Sequence, residues 1–170
     1  MSVSEQAAAA AREEERLAEL HALADPDAPP SAAVEDLVVR AAQVAGVAMA
    51  TVNLFDADRQ CQVATAGFRG APTPRREAMC SVVLEHGAFV HVPDARRDAR
   101  FADSPWVDGR LGEVRFYASA PLVTQRGLVI GTLCVFDVEP HELTPGQVAQ
   151  LEQLAEEVVA GYERGRAPRG

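Results

Sequence analysis

The stretch over residues 115–137, RFYASAPLVTQRGLVIGTLCVFD, constrains the fold more than any other part of the chain. It contains two runs rich in β-branched and aromatic residues, which favour strands, on either side of a Gln-Arg-Gly break at 125–127. The stretch therefore predicts a β-hairpin. In its second run, residues 133–136 are apolar at every position, whereas a strand with one solvent-facing side alternates apolar with polar residues. We expect both faces of this sheet to be covered.

Two helices are predicted ahead of the first strand. Ser2 and Glu5 match a capping box, in which the serine side chain accepts a backbone N–H and the glutamate reaches back. We expect this helix to run to about Leu23, where a Pro-rich segment ends it. The second helix has Ser31 as its N-cap, carries apolar residues at helical spacing, and ends at Gly46. The first 46 residues are therefore predicted to be a helical pair.

The remaining elements are short and are separated by breaks rich in Gly, Pro and Asp. They are a strand over 47–55, its antiparallel partner over 60–66, a helix over 75–85, a strand over 89–92, and a final helix from Thr144 onward. With the hairpin, the order αα-ββ-α-β-loop-ββ-α predicts an α+β fold. We expect one domain over 1–170, with an N-terminal helix over 1–24, a core and C-terminal helix over 31–164, and no effector domain.

The charge and composition of the chain narrow the partners that it could bind. The net charge is −9 and the pI is near 4.9, so its field repels phosphate backbones and anionic membranes. All 16 basic residues are Arg, which excludes lysine-dependent chemistry. The sequence has no secretory signal pattern and no run of roughly 20 apolar residues. We therefore expect a cytoplasmic protein that binds neither nucleic acid nor membranes.

The three cysteines are odd in number and widely spaced, which indicates neither a disulfide framework nor a metal site. We therefore expect reduced thiols. Cys61 and Cys134 lie in predicted strands, where a buried cysteine packs as a small apolar residue. Cys80 lies near the start of a predicted helix, where aligned N–H groups favour a thiolate. The four histidines form no cluster of ligands, so no metal is predicted.

Several motifs, in this order along the chain, resemble those of GAF domains, the small sensory modules of bacterial signalling chains. They are VHVPDARRDARFADSPWV, then RFYASAPLVT, GLVIGTLCVFD and PHELT. Residues 78–81 lie where these domains usually have a Phe-Cys-Ala type helix start, and Ser119 lies where glycine is usual. The resemblance implies a central antiparallel sheet with helices on both faces, related to the profilin and PAS folds.

The same resemblance indicates where a ligand would bind. In GAF domains, the connection that corresponds to residues 94–115 walls the ligand cavity, and the following strand neighbours it. The candidate ligand-binding residues are therefore Cys80, Phe101, Trp106, Val107, Arg115 and Tyr117. Alternatively, the aromatic residues of the connection fill the space and leave no cavity. The arginines within 95–100 are expected to pair with neighbouring aspartates.

Three functions fit this resemblance. The leading hypothesis is a non-enzymatic sensory or regulatory domain, with no identified cofactor, that binds a small molecule or a signalling protein. The first alternative is a cysteine-dependent enzyme similar to the free methionine-(R)-sulfoxide reductases. Those enzymes share further cysteines in the stretch that corresponds to residues 89–114, which has none here, so we expect Cys80 to lack a thiol partner. The second alternative is a ligand-free dimerisation module.

A homodimer is predicted from two apolar surfaces. Residues 133–136 form an apolar strand, and the last helix carries an apolar stripe that one short helix could not completely hide. The stripe comprises Val148, Leu151, Leu154, Ala155 and Val158. We expect the first and last helices of two chains to pack side by side against the outer face of the sheet.

Overall fold

A computed structural model describes residues 2–165 of the chain, so Met1 and residues 166–170 of the predicted domain lie outside the described part. The helices are α1 (Val3–Leu23), α2 (Ala32–Ala45), α3 (Ser81–His86) and α4 (Pro145–Arg164). The strands are β1 (Met49–Phe55), β2 (Arg59–Ala66), β3 (Thr73–Pro74), β4 (Val90–Val92), β5 (Phe116–Val123) and β6 (Val129–Asp137). They form one antiparallel sheet in the order β3-β2-β1-β6-β5-β4, which confirms the predicted α+β fold and hairpin. None of the helices within residues 2–165 has the length and apolarity of a membrane-spanning segment.

Local sequence signals account for the helix ends. At the start of α1, the Ser2 hydroxyl accepts the Glu5 N–H at 3.2 Å and the Glu5 carboxylate accepts the Ser2 N–H at 2.7 Å, which confirms the capping box. Helix α2 ends at Gly46, whose φ of 71° is a left-handed conformation that glycine adopts without strain. Thr144 caps α4 in the same way, with Gln147 as its reciprocal partner.

The two faces of the sheet are covered by different parts of the chain. Helices α1, α2 and α4 pack against one face and bury a continuous apolar core. On the central strands, its members alternate as the pleat requires at Ala50, Val52, Leu54, Phe116, Ala118, Ala120, Leu122, Leu133 and Val135, and Ile130 joins them at the irregularity between Leu122 and Val123. Helix α3 and the connection between β4 and β5 cover the other face. Both faces are therefore covered, as the sequence predicts.

The helix predicted over 75–85 is wrong in its first half. The chain makes a single 3-10 turn at Arg75–Glu77 and begins α3 only at Ser81. Between them, Ala78 and Cys80 are both buried. In a continuous helix these two side chains would lie about 200° apart, so one of them would face away from the core. The break in the helix lets both side chains pack against the sheet.

The apolar stripe of α4 is buried within the chain. Its residues Leu151, Leu154, Ala155 and Val158 are at most 4% exposed and belong to the core that α2 and the sheet share. The exposed side of α4 is polar and carries Glu152, Gln153, Glu156 and Glu157. The premise that the stripe needs a second chain to cover it is therefore wrong, because α1, α2 and α4 cover this face together. The homodimer itself stays a prediction.

Candidate ligand cavity and thiol pair

A cavity of about 370 Å³ opens on the α3 side of the sheet. Its walls are largely apolar and include Phe68, Pro72, Met79, Trp106, Val114 and Phe136. Its sheet side, here named the polar floor, is formed by Thr51, Asn53, Cys80, Tyr117 and Cys134. The charged residues of the lining are Arg69 and Glu77. Cavities of this size and character bind small organic molecules, and the aromatic residues of the connection leave this one unfilled.

The register of the sheet brings the polar floor together. Thr51 of β1 is opposite Cys134 of β6, and Cys134 is opposite Ser119 of β5. One row further along, Asn53 is opposite Thr132. Directly opposite residues of neighbouring strands point to the same face, so these side chains form one polar patch. The residues between them point into the apolar core on the other face.

Cys80 and Cys134 meet at this floor although they are 54 positions apart in sequence. Their Sγ atoms are 2.6 Å apart, and both are free thiols with 4% and 1% exposure. The expectation that Cys80 lacks a thiol partner is therefore wrong. Cys134 is buried, as predicted for a small apolar residue, but it also contacts a second thiol, which such packing does not explain. Sequence spacing could not show the pair, because one thiol precedes α3 and the other lies in β6.

Hydrogen-bond donors surround the two sulfurs. The Tyr117 hydroxyl donates to Cys80 Sγ at 2.7 Å, and Ser119 Oγ lies 3.0 Å from Cys134 Sγ. The Asn53 amide donates toward both sulfurs, at 3.5 Å to Cys80 and 3.3 Å to Cys134. The environment of the pair is therefore polar although it is buried, and such donors stabilise a thiolate.

Asn53 is held in place by its own neighbours. Its Oδ1 accepts the Thr51 hydroxyl at 2.9 Å, and its Nδ2 donates to Thr132 Oγ1 at 3.1 Å. Thr132 Oγ1 in turn lies 3.2 Å from Cys134 Sγ. Since Thr51, Asn53 and Thr132 are at most 2% exposed, these bonds satisfy polar groups that have little contact with solvent.

The network assigns different acidities to the two thiols. Burial alone would raise the pKa of Cys80, but hydrogen bonds with Cys134 and with three hydroxyl groups outweigh it and lower this pKa to about 7. Burial and the contact with Cys80 raise the pKa of Cys134 well above its ordinary range. Cys80 is therefore the thiol that ionises first. The donors that favour this thiolate are side chains of the sheet, and not the N–H groups of the helix start that the sequence predicts.

The structure divides the six candidate ligand-binding residues into two groups. The cavity is lined by Cys80, Trp106 and Tyr117. The residues outside its lining are Phe101, Val107 and Arg115. Phe101 packs against the Tyr117 ring with 5.3 Å between centroids, and Arg115 donates to the Val107 carbonyl at 2.8 Å. Phe101 and Val107 pack in the apolar cluster that also contains Val114 and Tyr117 of the lining. Ligand binding by Cys80, Trp106 and Tyr117 stays a prediction.

Sequence reasoning missed the half of the site that β1 and β6 supply. Asn53, Thr51 and Cys134 were not among its candidates. A usable signal was present, because Thr51 and Asn53 are polar residues at alternate positions of an otherwise apolar strand, and Thr132 and Cys134 repeat this pattern. Such alternation within a buried strand indicates one apolar and one polar face.

Of the arginines within 95–100, Arg96 and Arg100 pair with neighbouring aspartates, as predicted. Arg96 lies 2.7 Å from Asp94 and Arg100 lies 2.8 Å from Asp98, and both arginine side chains are about half exposed. They therefore point to solvent. In the part of the chain that the structure describes, no group of three or more His, Cys, Asp or Glu side chains is arranged to hold a metal ion.

An ion-pair network ties the cavity wall to α1. Glu13 pairs with Arg16 at 2.9 Å and with Arg75 at 2.6 Å. Arg16 is only 6% exposed and also donates to the Phe55 carbonyl at the end of β1. Arg75 directly follows Pro74, which lines the cavity. Burial opposes ionisation of Glu13, but the bonds from both arginines outweigh it and lower its pKa to about 2. This network is a short physical path from the cavity to the N-terminal helix.

Comparisons with known proteins agree with this architecture. The GAF domain family matches residues 29–160. A cyclic di-GMP phosphodiesterase of Pseudomonas aeruginosa is 40% identical over 128 residues, which make up 74% of this chain. The chain spans only 22% of the length of that relative.

Two solved structures are similar at lower sequence identity. The GAF domain of a phosphoenolpyruvate-protein phosphotransferase from Coxiella burnetii has a TM-score of 0.67 at 18% identity, over 92% of this chain and 96% of that one. A free methionine-R-sulfoxide reductase from Neisseria meningitidis has a TM-score of 0.62 at 18% identity, over 91% of this chain and 90% of that one. Identities this low show a shared fold alone. Because the family match covers more than half of its length, this chain belongs to the GAF domain family.

Proposed function

We propose that this chain is a sensory GAF domain that binds a small organic molecule in the cavity and passes its occupancy on through the terminal helices. The observation that carries the proposal is the open cavity of about 370 Å³ with apolar walls and a polar floor. A module that only held two chains together would gain packing contacts from filling this space. The open cavity therefore favours ligand binding over a ligand-free dimerisation module.

The lining suggests the chemical class of the ligand. Trp106, Tyr117 and Phe136 present aromatic surface to the cavity, which suits a flat apolar molecule. The charged residues of the lining, Arg69 and Glu77, are both solvent-accessible, so they offer no buried counter-ion. The polar floor supplies donors and acceptors that fix orientation. We therefore propose a neutral, partly aromatic ligand with one or two hydrogen-bonding groups.

The relationship to a cyclic di-GMP phosphodiesterase supports a role in second-messenger signalling. The relative is much longer than the part that this chain matches, so its catalytic activity does not transfer with the similarity. We propose that this domain acts in the cytoplasm as a non-enzymatic regulator of such an effector, on the same polypeptide or as a partner chain.

The path by which occupancy reaches the effector is the Glu13 network. A ligand that moves the wall near Pro74 also moves Arg75, whose guanidinium pairs with Glu13 of α1. Glu13 is bonded to the buried Arg16, which anchors α1 to the end of β1. A small shift of the wall is thereby felt by the helix that leads toward the N-terminus.

The fluorescence of Trp106 tests the proposal, because it is the only tryptophan of the chain and it lines the cavity. A screen of nucleotides, amino acids and aromatic metabolites under reducing conditions should find a compound that changes this emission to saturation. Phe136→Ala in the wall should weaken the binding, whereas Val123→Ala, at an exposed site outside the lining, should not. A library that leaves the emission unchanged at every concentration would contradict the proposal.

One observation favours a second candidate function, a cysteine-dependent reductase. Cys134 supplies Cys80 with the neighbouring thiol that such chemistry requires. This enzyme would convert methionine sulfoxide to methionine with a thiol reductant, and Cys80→Ser would abolish the turnover. Wild-type protein that gives no turnover above buffer excludes this candidate.

A further inference from the structure

The thiol pair is the part of the polar floor that ligand binding leaves without a chemical role. We propose that Cys80 and Cys134 form a thiol–disulfide site that is oxidised by a hydroperoxide entering the cavity. The proposal goes beyond the sensory function, because it needs only the two thiols and an oxidant. Either proposal can therefore hold without the other.

The geometry selects this pair among the three cysteines. The Sγ atoms of Cys80 and Cys134 are in contact, at 2.6 Å. Cys61 is opposite Leu54 in the sheet and so lies on the face that the long helices cover. The sheet itself separates Cys61 from the pair. Cys61 is therefore a buried thiol of the same chain that the reaction should leave untouched.

Burial of the pair limits the size of the oxidant. Cys80 and Cys134 are almost fully buried, and both are reached through the cavity. A protein disulfide cannot bring a sulfur atom in line with a thiol in this position, whereas hydrogen peroxide or a small organic hydroperoxide can enter. Its oxygen atoms would meet the Tyr117 hydroxyl and the Asn53 amide, which already donate toward the sulfurs.

Cys80 is the attacking thiol, because the Tyr117 hydroxyl donates to its sulfur at 2.7 Å but lies 3.8 Å from that of Cys134, and this bond stabilises the Cys80 thiolate. The thiolate attacks one oxygen of the hydroperoxide and the O–O bond breaks. The sulfur becomes a sulfenic acid, and the other oxygen leaves and takes up the proton that Cys80 released. The Cys134 thiol then attacks this sulfur, and its proton departs with the hydroxyl group as water. Two thiols are thus oxidised to a disulfide, while the hydroperoxide is reduced to an alcohol, or to water, and a second water.

The disulfide between Cys80 and Cys134 would connect two elements that contribute different parts of the cavity lining. It joins the segment before α3 to β6, a central strand of the sheet. The same segment contributes Ala78 and Met79 to the cavity lining and follows the turn at Arg75–Glu77. Oxidation would therefore alter the shape of the cavity and the position of the turn that pairs with α1.

The test treats the full, folded and fully reduced chain with hydrogen peroxide, blocks the remaining thiols by alkylation, and maps the peptides by mass spectrometry. We expect the intact mass before alkylation to fall by two hydrogens, and a linked peptide pair to contain Cys80 and Cys134. Cys61 should still carry the alkyl group. At pH 7 the pair should react at least about threefold faster than Cys61, since a thiol with a pKa near the ambient pH attacks fastest.

Three single variants separate the steps. Cys61→Ser is the matched control and should form the disulfide at the wild-type rate. Cys134→Ser should stop at the sulfenic acid of Cys80, which dimedone traps. Cys80→Ser should leave Cys134 as a thiol at the same peroxide concentration. Circular dichroism shows whether each variant is folded. The peptide map of the oxidised wild-type protein tests the proposal even where a variant does not fold.

Several outcomes would overturn the proposal. Folded protein that keeps all three thiols under peroxide excludes it, and so does a disulfide that includes Cys61. Oxidation that proceeds with methionine sulfoxide but not with hydrogen peroxide assigns the pair to the reductase instead. Ligand binding is measured separately under reductant, so a failure of the sensory proposal is distinguishable from a failure of this one.

Discussion

The two faces of the central sheet differ in what the same strands place on them. Toward α1, α2 and α4, strand β1 presents Val52 and Leu54, which are fully buried in an apolar core. Toward α3, the same strand presents Thr51 and Asn53, which are equally buried but polar, at the floor of an open cavity. Because alternate residues of a strand face opposite sides, β1 contributes both to the apolar core and to the floor of the cavity. Stability and chemistry are therefore separable, since substitutions on one face test packing and substitutions on the other test the site.

The largest effect is expected on the helix-covered face. Leu54→Ala removes a side chain with no solvent exposure and should lower the free energy of unfolding by about 3 kcal/mol, because the neighbours cannot fill the space. Denaturant unfolding followed by circular dichroism measures this loss. The folded variant should keep wild-type ligand binding and thiol reactivity. Loss of either property in the folded variant would show that the two faces are not separable.

The next effect concerns the acidity of Cys80. Tyr117→Phe removes the hydroxyl that donates to Cys80 Sγ and should raise the pKa of Cys80 by roughly one unit from about 7, since a bond to a charged group is worth about 1.5–3 kcal/mol. The titratable groups around this thiol are Tyr117 and Cys134, and the charged groups elsewhere in the cavity lining are Arg69 and Glu77. The pH dependence of alkylation measures the shift. Tyr162→Phe in α4 is the matched control, and an unshifted profile in Tyr117→Phe would contradict the assigned donor.

A smaller effect on stability is expected on the polar face. Thr132→Val keeps the shape of a fully buried side chain but removes the hydroxyl that accepts the Asn53 amide. We expect a loss of about 1 kcal/mol, from one lost buried hydrogen bond. The same denaturant experiment measures it beside Leu54→Ala. A loss as large as that of Leu54→Ala would refute the claim that stability resides mainly on the helix-covered face.

The smallest effect concerns the link to α1 and depends on pH. The pKa of Glu13 is about 2 in the folded protein, below its ordinary value of 4.5, so its ionised form stabilises the fold above about pH 4.5. This contribution is lost as the pH falls toward 2. One third of the Glu13 side chain is exposed and solvent screens its pairs, so we expect less than about 1 kcal/mol.

Glu13→Gln should therefore lower stability slightly at pH 7 and leave it unchanged at pH 2. Glu14→Gln removes the same charge from a neighbouring exposed position and should have no effect at either pH. Thermal unfolding of both variants across this pH range measures the difference. Equal thermal stability of the two variants at pH 7 would mean that the ion pairs of Glu13 do not couple α1 to the turn at Arg75–Glu77.

Most of the fold could be predicted because its signals are local. The capping box at Ser2 and Glu5, the glycine at the end of α2 and the alternation within the hairpin each act over a few residues. The helix over 75–85 was wrong because tertiary burial of Ala78 and Cys80 outweighed the local helical pattern.

The candidate site could be predicted only on the side that lies close together in sequence. Of the candidates that the resemblance indicated in the connection and β5, Trp106 and Tyr117 line the cavity, whereas Phe101, Val107 and Arg115 do not. The contact of Cys80 with Cys134 depends on the register of β6 against β1 and β5 and on the break before α3. No local pattern encodes such a long-range contact, and it emerges only once the strands are paired.

The claim that the α3 side of the sheet is kept open for a small molecule is tested most directly by native mass spectrometry of the protein taken from its host. The account predicts that a non-covalent molecule accompanies the folded chain and is released on denaturation. Ala71→Trp, at an exposed position of the cavity lining, should reduce the bound fraction. Protein that always has the mass of the bare chain, together with a crystal structure in which its own side chains fill the cavity, would contradict the account.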